Sequence, residues 1–146
     1  MNDTIQKGII AGLIGSSGDA AIHWIAYFFI GTSPTAFYIS ELIFPFEDLT
    51  LPRLLMGMLV HFFAGALVGV GLALIIKLFG IDYPYYKGIG MGILLWIVHI
   101  IVIPNLVTPR PYLFRTTTET IVDLAAHITY GFLAAFFLVR SYKKIV

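Results

Sequence analysis

The fold of this chain is decided by the stretch from Leu54 to Leu78, LLMGMLVHFFAGALVGVGLALIIKL, in which Lys77 is the only residue with a formal charge. A transmembrane helix needs about 20 predominantly apolar residues to cross about 30 Å of hydrocarbon. The stretch satisfies both requirements and carries a single histidine, His61. We therefore predict that it is a membrane-spanning helix.

Three further stretches, one before this span and two after it, meet the same criterion. They run over residues 8–30, 88–103 and 119–139, and the stretch 88–103 is predicted to end at Pro104, where a helix readily stops. The connection 31–53 is long, and its apolar part, Phe37–Phe46, is too short to span. We expect that part in the headgroup region or partly re-entering the membrane. The chain is predicted to be one all-α domain, an integral membrane four-helix bundle.

The composition of the whole chain agrees with this prediction. Of its 146 residues 59% are hydrophobic and 12% are charged, and the mean hydropathy is +0.92. Soluble domains average about 45–50% apolar and about 25% charged residues, so a soluble enzyme, a disordered tail and a disulfide scaffold are excluded. The net charge of +1 offers no basic field for nucleic acid, and the absence of cysteine excludes thiolate metal sites. No catalytic motif stands out, which favours a non-enzymatic protein.

The distribution of basic residues predicts the orientation in the membrane. Six lie on one side of the predicted spans and three on the other, which places both termini in the cytoplasm and the loop 31–53 outside. The first group is Lys7, Lys77, Lys87, Arg140, Lys143 and Lys144, and the second is Arg53, Arg110 and Arg115.

Each predicted span contains one histidine, and two spans add an aspartate four residues before it. These residues are His23, His61, His99 and His127, with Asp19 and Asp123. In every span the histidine shares a helical stripe with small residues, which mark faces where transmembrane helices approach closely. The glycines that we assign to helix packing are Gly12, Gly57, Gly65, Gly69, Gly92 and Gly131. The histidines are therefore predicted to point into the bundle.

Counting along the spans predicts that the histidines share one level. At 1.5 Å per residue they lie within about one helical turn of each other, near the midplane. Asp19 is expected about one turn deeper and Asp123 about one turn shallower. His23 lies closest to the outer boundary, so it is the histidine that we expect to be solvated or interfacial.

A layer of imidazoles and carboxylates inside a membrane permits several functions. The sharpest is a transition-metal site for Zn, Fe or Cu with His61, His99 and His127 as ligands, and with Asp19, His23 and Asp123 as outer partners or alternative ligands. A haem b clamped by two histidines, as in an accessory subunit of a larger membrane complex, is a second. A polar layer that locks helix register and a group that responds to pH remain open. The glycine-rich faces also permit a homo-oligomer.

Two short matches indicate a weak internal repeat. Lys7-Gly8-Ile9-x-x-Gly12 is similar to Lys87-Gly88-Ile89-x-x-Gly92, and His61-x-x-x-Gly65 is similar to His127-x-x-x-Gly131. These matches predict that the first two spans and the last two are related by an axis along the membrane normal.

The combined pattern resembles the YagU-type family of small inner-membrane proteins, which is poorly characterised. The resemblance rests on His99-x-x-x-x-Pro104, Thr108-Pro109-x-Pro111-x-x-Phe114 and Asp123-x-x-x-His127, and more loosely on Gly12-Leu13-Ile14, Ser33-Pro34 and His61. It covers most of the chain and is specific from His61 to Arg140. It implies a four-span fold in the bacterial cytoplasmic (inner) membrane and a general link to acid tolerance. Asp19 and His23 lie outside the family pattern.

Overall fold

The computed structural model describes residues 4–45, 47–106 and 115–143, which are helical or irregular and contain no strand. The helices, in chain order, are α1 (Thr4–Ile30), α2 (Thr35–Ile43), α3 (Leu51–Phe79), α4 (Pro84–Leu106) and α5 (Thr117–Lys143). All but α2 are long and apolar enough to cross a membrane. The prediction of an all-α bundle with four spans is confirmed.

Helix α4 does not end at Pro104 as predicted. It continues to Leu106 because the residues Val98–Val102 form a π-helical turn, in which the N–H of Ile103 donates to the main-chain oxygen of Val98. Proline in a regular α-helix collides with the carbonyl four residues earlier and leaves it without a donor. The wider turn before Pro104 accommodates the ring, and such turns are frequent at functional sites.

The packing order of the four long helices leaves one gap in the bundle. Helices α1 and α5 pack against each other in the middle, α3 packs on α1, and α4 packs on α5. Helices α3 and α4 contact each other far less than they contact these neighbours. The bundle is therefore open along the line between α3 and α4.

Glycines allow the close crossing of α1 and α3. A Cβ atom on Gly12 would lie 2.7 Å from Cα of Ala66 and would collide with the main-chain oxygen of Gly65. A Cβ atom on Gly69 would lie 2.5 Å from Cα of Gly12. Main-chain atoms cannot yield as a flexible side chain can, so larger residues at this crossing would force the helices apart.

The crossing of α4 and α5 uses the corresponding glycines of the weak repeat. A Cβ atom on Gly92 would collide with the main-chain oxygen of His127, and Gly88 and Gly131 are in equally close contact. Each pair of helices is therefore in closest contact at two glycines of its first helix, Gly8 and Gly12 of α1 and Gly88 and Gly92 of α4.

Helix α2 is a nine-residue helix packed into the bundle against α3. The main-chain oxygen of Ala36 occupies the place where a Cβ on Gly57 would lie, and Tyr38 and Ile39 are buried. This helix therefore packs beside the first turns of α3, and its depth in the membrane stays a prediction. Phe46 lies outside the described residues.

The start of α5 has a reciprocal cap between Thr116 and Glu119. The N–H of Glu119 donates to Oγ1 of Thr116 at 3.2 Å, and the N–H of Thr116 donates to Oε2 of Glu119 at 3.0 Å. The motif from Thr108 to Phe114, including Arg110, and the basic residue Lys144 lie outside the described residues.

Candidate metal centre

The four histidines and two aspartates meet in the interior of the bundle. Two of these residues, His61 and His99, are partly accessible, and the side chain of His61 is 14% exposed. The other four are buried, with exposed fractions between 0% and 4%. They are supplied by all four long helices: Asp19 and His23 by α1, His61 by α3, His99 by α4, and Asp123 and His127 by α5.

The prediction that His23 is solvated or interfacial is wrong. The residue is 1% exposed. Helix α2 and the chain leading into it fold back over this part of α1, so that Pro34, Thr35 and Ala36 lie around a narrow space beside the imidazole. His23 is therefore buried by part of the connection 31–53, which is not among the predicted spans of the bundle.

Asp19 lies within 4.0 Å of three imidazoles, those of His23, His61 and His127, and Asp123 lies within 4.0 Å of two. Oδ1 of Asp19 is 3.6 Å from Nε2 of His61, and its Oδ2 is 3.7 Å from Nδ1 of His127. Oδ1 of Asp123 is 3.2 Å from Nε2 of His23, and its Oδ2 is 3.8 Å from Nδ1 of His127. His127 therefore joins Asp19 and Asp123.

A main-chain hydrogen bond sets the tautomer of His127. Its Nδ1 lies 2.8 Å from the main-chain oxygen of Asp123, and this contact requires a proton on Nδ1. Nε2 is then the nitrogen with a free lone pair, the usual arrangement of a metal-binding histidine. The ring of His99 stands edge-to-face with that of His127, with centroids 4.9 Å apart. One ligand atom each from His99, Asp123 and His127 lie within 4.8 Å of one another.

The π-helical turn of α4 positions His99. In its hydrogen-bonding pattern the main-chain oxygen of His99 would accept from residue 104, which is proline and has no N–H. The hydroxyl of Tyr38 on α2 donates to this oxygen at 3.3 Å. Burial raises the pKa of Tyr38 above its ordinary value of 10.0, against the opposing effect of Arg115, so the hydroxyl remains a donor at neutral pH.

The charges of the cluster are not balanced by lysine or arginine. In the described ranges both aspartates form ion pairs with imidazoles alone. Oδ1 of Asp19, both oxygens of Asp123 and both ring nitrogens of His23 have no hydrogen-bond partner of acceptable geometry among the described residues. Buried polar atoms are normally satisfied, so the convergence of these atoms indicates a site for a cation or for protons.

A cavity of about 70 Å³ opens on the cluster between α3 and α4. His61 and His99 lie on opposite walls, and Asp19 and His127 line its inner side. Its volume corresponds to about two water molecules at about 30 Å³ each. An ion with one or two waters fits this space.

Three residues of the site are missing from the sequence prediction. The main-chain oxygen of buried Ser16 lies 3.2 Å from Nε2 of His61, and the hydroxyl of Tyr130 donates to the main-chain oxygen of Gly65 at 2.6 Å. The third is Tyr38. Tyr130 follows His127 by three residues and so lies on the same helical face, which is a signal that the sequence contains.

Comparison with known proteins identifies no relative of this chain. No protein-family model matches the chain, and neither a curated protein nor a solved structure matches it. The function therefore has to be inferred from the site itself.

Proposed function

We propose that the protein binds a divalent transition-metal ion in the buried cluster. His99, Asp123 and His127 are the nearest ligand set, and Asp19 contacts both His127 and His61 beside it. The observation that carries the proposal is that two buried carboxylates lie among four imidazoles and pair with no other cation in the described chain.

The charge balance supports a divalent ion. Two ionised carboxylates in a low-dielectric interior need nearby positive charge, because an unpaired charge at membrane depth is costly. A divalent cation supplies two charges at once, and mixed imidazole and carboxylate ligands suit Zn, Fe or Cu. In a tetrahedral site with bonds of about 2.0 Å, ligand atoms lie about 3.3 Å apart. The distance of 3.6 Å between Oδ1 of Asp19 and Nε2 of His61 is close to this value.

The geometry does not favour haem b. Sites for drug-sized organic ligands enclose about 300–1,000 Å³, whereas the cavity at the cluster holds about 70 Å³. The rings of His99 and His127 are in edge-to-face contact, so a macrocycle does not fit between them.

A pH-responsive role is the second candidate, because the same contacts form a continuous chain of ionisable groups. His61, Asp19, His127, Asp123 and His23 follow one another at distances of 3.2 to 3.8 Å. Protons on the imidazoles would balance the carboxylates in place of a metal. The resemblance to YagU-type proteins, with their link to acid tolerance, also points to this role and remains a proposal.

We place the protein in the bacterial cytoplasmic membrane with both termini inside. Lys7, Lys77 and Lys87 lie at the end of the bundle that carries the termini. At the other end, Arg53 donates to the main-chain oxygens of Phe44 and Asp48, and Arg115 donates to that of Ser33. The proposed orientation rests on the excess of basic residues at the end of the bundle that carries the termini.

The metal proposal is tested on the full chain in lipid nanodiscs, purified through an affinity tag that contains no histidine. We expect about one Zn²⁺ per chain by elemental analysis, and with Co²⁺ a visible absorption spectrum of a low-coordinate site. His127→Ala and Asp123→Ala should abolish both signals. Asp82→Asn, an exposed carboxylate between α3 and α4, is the matched control. A wild-type protein that binds neither ion would refute the metal proposal and leave the pH-responsive role.

A further inference from the structure

A second cavity lies beyond the cluster, at the end of the bundle opposite the chain termini. We call it the distal cavity. It has a volume of about 220 Å³, and its walls include Tyr38 and Glu41 of α2, Arg115 before α5, and Glu119 in the first turn of α5. None of these residues belongs to the cluster, although Tyr38 touches it.

Tyr38 separates the distal cavity from the cluster. Its ring forms part of the cavity wall, and the guanidinium of Arg115 lies 4.5 Å from the ring centroid. On the side of the cluster, its hydroxyl bonds to the main chain of His99, and the two ring centroids are 6.1 Å apart. The residue is 6% exposed, so its side chain is enclosed between the distal cavity and His99.

One carboxylate of the distal cavity is free to meet a cation. Glu119 is occupied with the N–H groups of Ser33 and Thr116, and Arg115 with the main-chain oxygen of Ser33. Glu41 is half-buried in the cavity wall and has neither a hydrogen bond nor an ion pair within the described residues. A carboxylate in such a cleft raises the local concentration of cations.

The gap between α3 and α4 is a poor route for an ion. It faces outward from the bundle at the level of the spans, where the exposed side chains are apolar, for example Leu67 on α3 and Leu94 on α4. An ion that entered there would have to cross hydrocarbon without its hydration shell, which is costly. The distal cavity is polar and lies at an end of the bundle.

We propose that the distal cavity is the entrance through which the metal ion reaches the cluster, with Glu41 attracting the ion and Tyr38 acting as the barrier that it passes. This inference rests on the proposed metal site. It adds the route that the ion takes, the end of the bundle from which the ion enters, and roles for two residues that are not ligands, Glu41 and Tyr38.

The barrier is tested by stopped-flow binding of Co²⁺ to the full chain in nanodiscs. Tyr38→Ala should accelerate association of Co²⁺ by about tenfold relative to Tyr38→Phe, which loses the same hydrogen bond to His99 and therefore controls for any effect of that bond on affinity. Tyr38→Phe keeps the ring and should stay closer to wild type. Tyr86→Ala, an exposed tyrosine at the opposite end, should have no effect. Unchanged rates in Tyr38→Ala, with wild-type binding intact, would overturn the barrier.

The route is tested by blocking it with a thiol reagent, since the chain has no native cysteine. Glu41→Cys labelled with a bulky cationic reagent should slow Co²⁺ association about tenfold or more, because the label fills the cavity and reverses its charge. The same label on Asp82→Cys should leave the rate unchanged. Normal uptake by labelled Glu41→Cys would place the route elsewhere, whereas no binding by unlabelled wild type would refute the metal site itself.

Discussion

Nε2 of His23 lies 3.2 Å from Oδ1 of Asp123, and this is the shortest side-chain contact in the cluster. The two residues come from α1 and α5, the central pair of helices, and each side chain is 1% exposed. A contact of this kind couples the stability of the bundle to the ionisation of its centre, because neither group can turn to solvent when its partner is removed.

The first prediction concerns the coupling between these two residues. His23→Leu and Asp123→Leu should each lower the free energy of unfolding by about 3 kcal/mol or more, because each leaves a buried polar partner unpaired. The double variant should be less destabilised than the sum, with a coupling of about 0.5–3 kcal/mol. Chemical unfolding in detergent, followed by circular dichroism, measures the cycle. Strict additivity would show that the contact carries no energy.

The second prediction is that metal binding releases protons. Imidazole binds a metal in its neutral form and carboxylate in its ionised form, so protons and metal compete for the cluster. Affinity for Zn²⁺ should therefore fall as pH falls from about 8 to about 5, with about one to two protons released per ion. Calorimetry in two buffers of different ionisation enthalpy counts the protons. A pH-independent affinity over this range would contradict the cluster as the binding site.

The third prediction uses two glycines of α4. Gly92→Ala should destabilise the protein by about 1 kcal/mol or more and weaken Co²⁺ binding, because the new Cβ collides with the main-chain oxygen of His127. A Cβ atom added to Gly90 would meet nothing within 4 Å among the described residues. Gly90→Ala should be neutral or stabilising by up to about 1 kcal/mol. Equal effects of the two substitutions on the free energy of unfolding would show that α4 and α5 can move apart without loss of stability.

The sequence predicts the spans and the polar layer because both depend on local patterns. Length and apolar content define a membrane helix, and one histidine per span beside small residues indicates an inward face. The close contacts of His61, His99 and His127 with other members of the cluster agree with that interpretation. Counting residues along straight helices is therefore sufficient to predict which histidines meet in the interior.

What the sequence does not predict depends on contacts between distant segments. His23 is buried because α2 folds back over α1, and that fold rests on the contact of Ala36 with Gly57. Nothing within residues 31–53 specifies this contact, since apolar residues next to a span are equally suited to the headgroup region. The continuation of α4 beyond Pro104 depends likewise on a local change of helix type.

The last prediction concerns Pro104. In Pro104→Ala, residue 104 gains an N–H that can donate to the main-chain oxygen of Ile100 in a regular α-helix or to that of His99 in the π-helical pattern. The bond to Ile100 would convert the π-helical turn to a regular α-helix, whereas the bond to His99 would compete with the hydroxyl of Tyr38 for the same main-chain oxygen. We expect a more stable helix, a rotated His99 and an affinity for Co²⁺ lowered about tenfold, which corresponds to about 1.4 kcal/mol.

The visible spectrum of bound Co²⁺ distinguishes the two effects of this substitution, since it reports ligand geometry independently of protein stability. Pro104→Ala should shift the bands, whereas Asn105→Ala should not, because the side chain of Asn105 donates to Ile101 and faces away from the cluster as an exposed residue. If Pro104→Ala binds Co²⁺ with an unchanged spectrum and affinity, His99 is not a ligand. The metal would then be held by Asp19, His61, Asp123 and His127, whose contacts do not depend on the π-helical turn.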